Sequence, residues 1–157
     1  MDFNVNIFDK LNSEWALLTA GEKDNFNTMT ISWGQMGTLW NKPVVTAYVR
    51  ESRYTHEFMD NSDYFTVSFY PAKYKDVLGV LGSKSGRDMD KMNASGLTAK
   101  LLEHGVTFEE AEITLVCKKL FMQRLDMDLM SDDIRSQFYG DNDAHDMYIG
   151  EVVDIIK

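Results

Sequence analysis

Apolar and polar residues alternate in short runs along most of this chain, with a period of two far more often than 3.6. The clearest run is Asn27-Thr28-Met29-Thr30-Ile31-Ser32-Trp33-Gly34. Side chains alternate across a β-strand, so Thr28, Thr30 and Ser32 share one face while Met29, Ile31 and Trp33 share the other. The first face is a row of short hydroxyls, and the second is expected in the core. β-Branched and aromatic residues suit such a pleated, half-buried surface. Gly34 ends the run with room for another backbone or a flat ligand.

Short apolar, β-branched or partly alternating runs predict the other strands. Trp15 to Ala20 reads as the first, followed by a turn at Gly21 to Asn25. Val44 to Arg50 sets Val45, Ala47 and Val49 against Thr46, Tyr48 and Arg50. The Gly-rich segment between it and the hydroxyl-lined strand, carrying Leu39 and Trp40, reads as a loop, and the two strands are expected to pair antiparallel. Tyr64 to Tyr70 is a strand ended by Pro71, Glu112 to Leu125 is a long one, and Met147 to Ile156 is the last, kinked or bulged at Gly150. Helical spacing is confined to short segments: Arg53 to Asp60 capped by Ser52, Tyr74 to Leu81, Asp90 to Ser95 stopped by Gly96, and Asp132 to Phe138. No strand–GxGxxG–helix unit is present. The pattern predicts a mainly β protein, an antiparallel barrel with short peripheral helices.

Composition narrows the function. A chain of 157 residues suits one domain. No apolar run approaches the ~20 residues of a membrane span. The first six residues are polar and acidic, without the basic-then-apolar order of a leader, so a soluble cytoplasmic protein is expected. A net charge of −9 argues against nucleic acid and anionic membranes as partners. The single Cys117 excludes a disulfide framework within the chain and multi-cysteine metal sites, and reads as a small buried hydrophobe.

Against this acidic background two basic groups stand out, Arg50 with Arg53 and Lys84 with Arg87. Hydroxyl residues flank both. Ser52 at a helix start adds free backbone N–H groups, which favour phosphate. The residues fit an anion site there and equally a well-capped helix without a ligand. The loop Gly82-Ser83-Lys84-Ser85-Gly86-Arg87 is not a P-loop, because Ser precedes the lysine and the segment follows a helix. Ser83, Lys84, Ser85 and Arg87 could still hold a phosphate. No metal site is expected: Asp141 to Asp146 lacks the glycine and closing glutamate of a calcium loop. His56 and His104 have no ligand or nucleophile partner at a telling spacing. His145 precedes the last strand and could stand at a barrel mouth, or equally be a solvated loop histidine. With no nucleophile, metal or acid–base pair of its own, the chain would need a cofactor for demanding chemistry.

Four blocks in order resemble the flavin reductase-like, FMN-binding split-barrel family, in particular its flavoredoxin-type branch. They are Asn27 to Gly34, Val49 to Thr55, Gly82 to Asp88 and His145 to Val152, and the resemblance runs over residues 10 to 157. It implies a six-stranded Greek-key split β-barrel, one domain over 1–157, a homodimer, and FMN bound non-covalently near the subunit interface. By position, Met29, Thr30, Ile31 and Ser32 would line the isoalloxazine and ribityl chain. Arg50, Ser52 and Thr55 would hold the 5′-phosphate, with Ser83, Lys84, Ser85 and Arg87 closing over it. Trp33, Trp40 and Tyr54 are candidate aromatic neighbours of the ring, and equally candidate packing residues. His145 is similar to a histidine that some members place near the nicotinamide or the reactive face of the flavin, which makes it the candidate catalytic residue. The implied activity is NAD(P)H-dependent reduction of flavin or another acceptor. The alternative is a flavoredoxin-like electron carrier reduced by a protein partner, which an acidic surface would suit. A pyridoxamine-phosphate oxidase-type barrel fits the blocks less well.

Overall fold

Each strand expected from alternation forms in the computed structural model, which describes residues 2–157. In chain order the strands are β1 (Ala16–Glu22), β2 (Asn25–Ile31), β3 (Gly34–Leu39), β4 (Lys42–Arg50), β5 (Tyr64–Phe69), β6 (Ala99–Leu101), β7 (Val106–Phe108), β8 (Ile113–Arg124) and β9 (His145–Ile156). Short helices punctuate them: α1 (Ile7–Asp9), α2 (Tyr54–Asn61), α3 (Lys75–Ser83), α4 (Lys91–Ser95) and α5 (Asp132–Phe138). Seven strands make one antiparallel sheet in the order β2-β1-β5-β8-β9-β4-β3, and β6 with β7 forms a separate hairpin. The architecture is the expected mainly β one, with seven strands in the main sheet rather than six.

The additional strand is the segment expected to be a loop. Gly34–Leu39 folds back on β4 through a two-residue turn in which Trp40 and Asn41 have φ of 53° and 56°. Two consecutive positive φ values give the type I′ geometry that matches strand twist. Closing this short hairpin costs less chain entropy than a distant pairing. The expected pairing of β2 with β4 therefore does not occur: β4 lies between β3 and β9, whereas β2 pairs with β1 and ends the sheet.

The core lies between the inward faces of the curled sheet. It contains Leu18, Met29, Ile31, Val45, Val49, Phe65, Val67, Leu115 and Tyr148. Trp33 departs from the expected core face: the strand ends at Ile31, and the indole is 44% exposed. At Thr28 and Thr30 the hydroxyl row is also not open to a ligand. Thr28 is buried against Thr19, and Thr30 donates to the Leu78 carbonyl of α3. A second apolar cluster, Leu17, Tyr70, Leu78, Leu81, Leu97 and Phe108, seats α3 on the sheet.

Two details position the site. Asp90 caps α4 by accepting from the Met92 and Asn93 amides, and Gly96 ends the helix with φ 68°. Gly150 allows the long strands to approach: a Cβ there would stand 2.6 Å from the Phe65 ring and 2.9 Å from the Cys117 Cβ. The register between β8 and β9 slips beside it, between Lys119 and Phe121, so the bulge sits on β8 opposite the glycine. No helix among the described residues is long and apolar enough to cross a membrane.

Candidate functional site

A pocket of about 170 Å³ opens where the β4–α2 turn meets the loop after α3 and the start of α4. Asn27, Ser52, Arg53, Tyr54, Thr55, Gly82 to Gly86 and Lys91 line it. Three are cations, Arg53, Lys84 and Lys91, and none is acidic, in a chain of net charge −9. Burial lowers the pKa of Arg53, and its guanidinium has neither an acidic nor a hydrogen-bonding partner among the described residues. Lys91 is buried, with its Nζ donating to the Thr28 and Leu81 carbonyls at 2.7 and 3.0 Å. Burial, and after it the charge of Arg53, pulls the Lys91 pKa down to about 8. Two neighbouring cations in a low-dielectric hollow are an unfavourable arrangement that an anion would neutralise.

The backbone adds to this field. The pocket includes the first turn of α2, whose leading N–H groups lack partners within the helix. Asn27 donates to the Thr55 hydroxyl at 2.8 Å, leaving the hydroxyl proton of Thr55 free for a ligand. A Cβ at Gly86 would stand 2.3 Å from Asn27 Oδ1, so the loop passes this close only as glycine. The adjoining hollow across Tyr54 is lined instead by Glu22, Glu57 and Asp63, which repel anions.

The structure redistributes the expected phosphate ligands. Ser52, Tyr54, Thr55, Ser83, Lys84 and Ser85 are brought to the pocket. Arg50 is not: its guanidinium donates to the Asp143 and Phe138 carbonyls, both at 2.7 Å, and lies over the Tyr139 ring. Arg50, the last residue of β4, is taken up by the segment that leads into β9 rather than by the pocket. Arg87 is likewise engaged elsewhere, with Glu57 and the Ser52 carbonyl, against the Tyr54 ring. Ser52 does not cap α2. The N-cap position falls at Arg53, and the Ser52 side chain donates to Asp143. Met29 and Ile31 are buried in the core, so only their backbone is available to a ligand. Lys91 and Asn27 were missed. Lys91 sits in a five-residue helix and reads as solvated charge until α4 is docked against β2.

A larger cleft of about 810 Å³ lies at the other end of β2, lined by Leu11, Ser32, Trp33, Gly34, Tyr48 and Tyr139 among others. His145 stands behind this wall, with ring centroids 5.4 Å from Trp33 and 6.4 Å from Tyr48. Its Nδ1 is 2.7 Å from the Tyr139 hydroxyl. Burial, followed by the Arg50 charge, pulls the His145 pKa down to about 4, while Asp143 pulls the other way. The imidazole is neutral at pH 7. A histidine that binds fewer protons folded than unfolded contributes stability that is lost as pH falls from about 6.5 to about 4. Urea unfolding midpoints are expected to drop across that interval, and His145→Gln is expected to flatten the drop.

Next to His145, Asp146 is buried and receives His56 Nε2 at 2.6 Å and Arg124 Nε at 2.9 Å. Arg124 continues to Glu51 at 3.0 Å in the β4–α2 turn. Burial alone would raise the Asp146 pKa, but the bonds and charges of Arg124 and His56 outweigh it and hold the carboxyl below its usual value. This pairing of His56 has no signal in sequence spacing, since its partner is 90 residues away.

These features meet an independent observation. The sequence profile described as the flavin reductase like domain matches residues 8–156. The chain belongs to this family. Solved structures agree in fold. The FMN-binding protein from Thermus thermophilus with bound 1-cyclohex-2-enone superposes with a TM-score of 0.69 at 24% identity, covering 91% of this chain and 69% of that one. Flavoredoxin from Methanosarcina acetivorans gives 0.72 at 20% identity, covering 100% and 74%. Nitrilotriacetate monooxygenase component B from Bacillus cereus gives 0.68 at 17% identity, covering 90% and 68%. No curated protein sequence matches the chain. In this flavin reductase-like domain, the cation-lined pocket and the aromatic cleft sit at opposite ends of β2, the strand carrying the first of the four sequence blocks.

Proposed function

We propose that this flavin reductase-like domain, spanning 1–157 as a single cytoplasmic unit, binds FMN non-covalently and transfers reducing equivalents from NAD(P)H to free flavin or another acceptor. The observation carrying the reading is the pocket with Arg53, Lys84 and Lys91 and no acid in its wall. A phosphate dianion needs charge-assisted donors in such a place. Arg53, Lys91, Thr55, Ser83 and Ser85 would hold the phosphate. From Asn27 to Ser32 along β2 is about 16 Å at strand rise, a reach suited to an extended ribityl chain carrying its ring towards Trp33. The backbone of Met29, Thr30, Ile31 and Ser32 would face that path. FMN when bound supplies the hydride and electron chemistry. The chain's residues neutralise its phosphate, orient the ring and wall off water. The exposed apolar residues Leu39, Trp40, Phe121 and Met122 suit burial against a second copy, which supports a homodimer.

The purified protein is expected to be yellow, or to become so with FMN, and to bleach anaerobically on addition of NADH or NADPH. Bound FMN without bleaching removes the nicotinamide step and leaves the binding reading. The acidic net charge of −9 favours, in that event, an electron carrier docking to a basic redox protein. Reduction by such a partner would then fall steeply with added salt.

A further inference from the structure

The larger cleft differs from the anion pocket in charge as much as in size. Leu11, Met36 and Leu125 form its wall together with Trp33, Tyr48 and Tyr139. Phe138 holds the Trp33 indole edge-on, with ring centroids 5.3 Å apart at 89°, yet the indole is 44% exposed. An indole fixed in this way and still open is a surface for a planar ring. Asn12, Ser32 and Gln35 add neutral hydrogen-bonding groups. Among the described residues of the wall none is basic, and Asp9 alone is charged. The basic residues adjoining the wall are committed elsewhere. Lys10 pairs with Glu14, and Arg124 with Asp146 and Glu51. Arg50, 5.0 Å from the centre of the Tyr139 ring, donates to the Phe138 and Asp143 carbonyls.

At about 810 Å³ the cleft stands near the upper end of small-molecule sites, roughly 300–1,000 Å³, which leaves room for a second planar ring beside a flavin. A charged tail on a substrate can stay outside in water. A negative charge on the ring itself would enter apolar surroundings facing Asp9, with no cation to meet it. We infer that the oxidant taken by this cleft is an uncharged planar dicarbonyl ring of the quinone class, and that Asp9 sets its discrimination against anionic rings. The inference rests on the proposed FMN reading for its electrons. NAD(P)H gives a hydride and solvent a proton, so the quinone gains two electrons and two protons to become the hydroquinone, leaving NAD(P)+. Specificity comes from the repulsive carboxylate as much as from the apolar wall.

The test titrates FMN-loaded protein at pH 7.5 with anthraquinone-2-carboxamide and anthraquinone-2-carboxylate, rings of nearly one shape that differ by a single charge. Calorimetry and quenching of tryptophan fluorescence follow binding. The amide is expected to bind about tenfold more tightly. Asp9 is exposed, and Asp9→Asn is expected to narrow that ratio about threefold, Asp9→Lys further, the size of one exposed charge contact. Trp33→Ala is expected to weaken both probes about fivefold, which places them in this cleft. Mixed with anaerobically photoreduced protein, tetramethyl-1,4-benzoquinone is expected to restore the yellow colour as it becomes the hydroquinone. A carboxylate that binds as tightly as the amide overturns the inference, as does an amide that fails to bind or is indifferent to Trp33→Ala. A ratio unchanged in both Asp9 variants overturns the role of Asp9. Amide binding without return of colour overturns the oxidant role. Failure of the FMN reading is seen separately, as a protein that FMN does not turn yellow, and the same titration without FMN then still reads the charge preference of the cleft.

Discussion

Replacing Arg53 by methionine is expected to weaken FMN binding by about 2–3 kcal/mol, roughly 30- to 150-fold in Kd, through loss of charge-assisted bonds to the phosphate. The same change is expected to leave the thermal midpoint of the ligand-free protein unchanged or higher. Arg53 stands unpaired beside Lys91 in a poorly solvated hollow, so methionine removes a repulsion while keeping much of the packing volume. Few other readings combine weaker binding with an equal or firmer fold, which is the mark of a site held under electrostatic tension for its ligand. Arg50→Ala should do the reverse. Losing its bonds to the Phe138 and Asp143 carbonyls should destabilise the segment before β9, with a smaller effect on FMN affinity. Isothermal titration with FMN, paired with calorimetric melting, separates the two arginines. Equal FMN affinity in wild type and Arg53→Met would remove Arg53 from the phosphate site. Affinity should also fall as pH rises through about 8, where Lys91 loses its proton. The sign follows because an anion binds best to the charged lysine.

Asp146→Ala is expected to cost about 3–5 kcal/mol of folding stability, the largest effect of any substitution outside the apolar core. The carboxylate is 3% exposed and satisfies both His56 and Arg124, so truncation leaves a buried imidazole and a guanidinium without their acceptor. Denaturant midpoints at pH 7 measure the loss. Asp146→Asn should recover part of it, since the amide keeps an acceptor for Arg124 while losing the charge. Because the folded carboxyl titrates below its ordinary value, its contribution is present at neutral pH and disappears only as pH falls below about 3.8. That interval lies below the one in which His145 is protonated, so an acid titration of stability should show two steps. The effect should extend to the anion pocket, because Arg124 also anchors Glu51 in the turn that presents Arg53.

The alternation of residues determined the strands of this protein. Strand propensity is a local property, and β1, β2, β4, β5, β8 and β9 form where it places them, although β1 and β5 are buried on both faces rather than on alternate residues. Local capping chemistry equally determined α4, whose Asp90 and Gly96 ends need no tertiary context. The two basic clusters and their hydroxyl neighbours stood out as a candidate anion site against an acidic chain, and one member of each, Arg53 and Lys84, lines the pocket while Arg50 and Arg87 are engaged elsewhere. What local pattern does not contain is direction and partner. Arg50 and Arg53 are three positions apart, yet one closes on loop carbonyls and the other opens into the pocket, because the chain turns between them. Lys91 joins Arg53 only because α4 docks on the free edge of β2, and the 170 Å³ pocket exists only once three separate segments converge. The tight turn at Trp40-Asn41 decided the strand order, leaving β2 at the end of the sheet and moving Trp33 out of the core into the wall of the cleft. Periodicity is a matter of neighbours along the chain. A binding site is a matter of neighbours in space, and burial and electrostatics assign its residues their roles only after folding has brought them together.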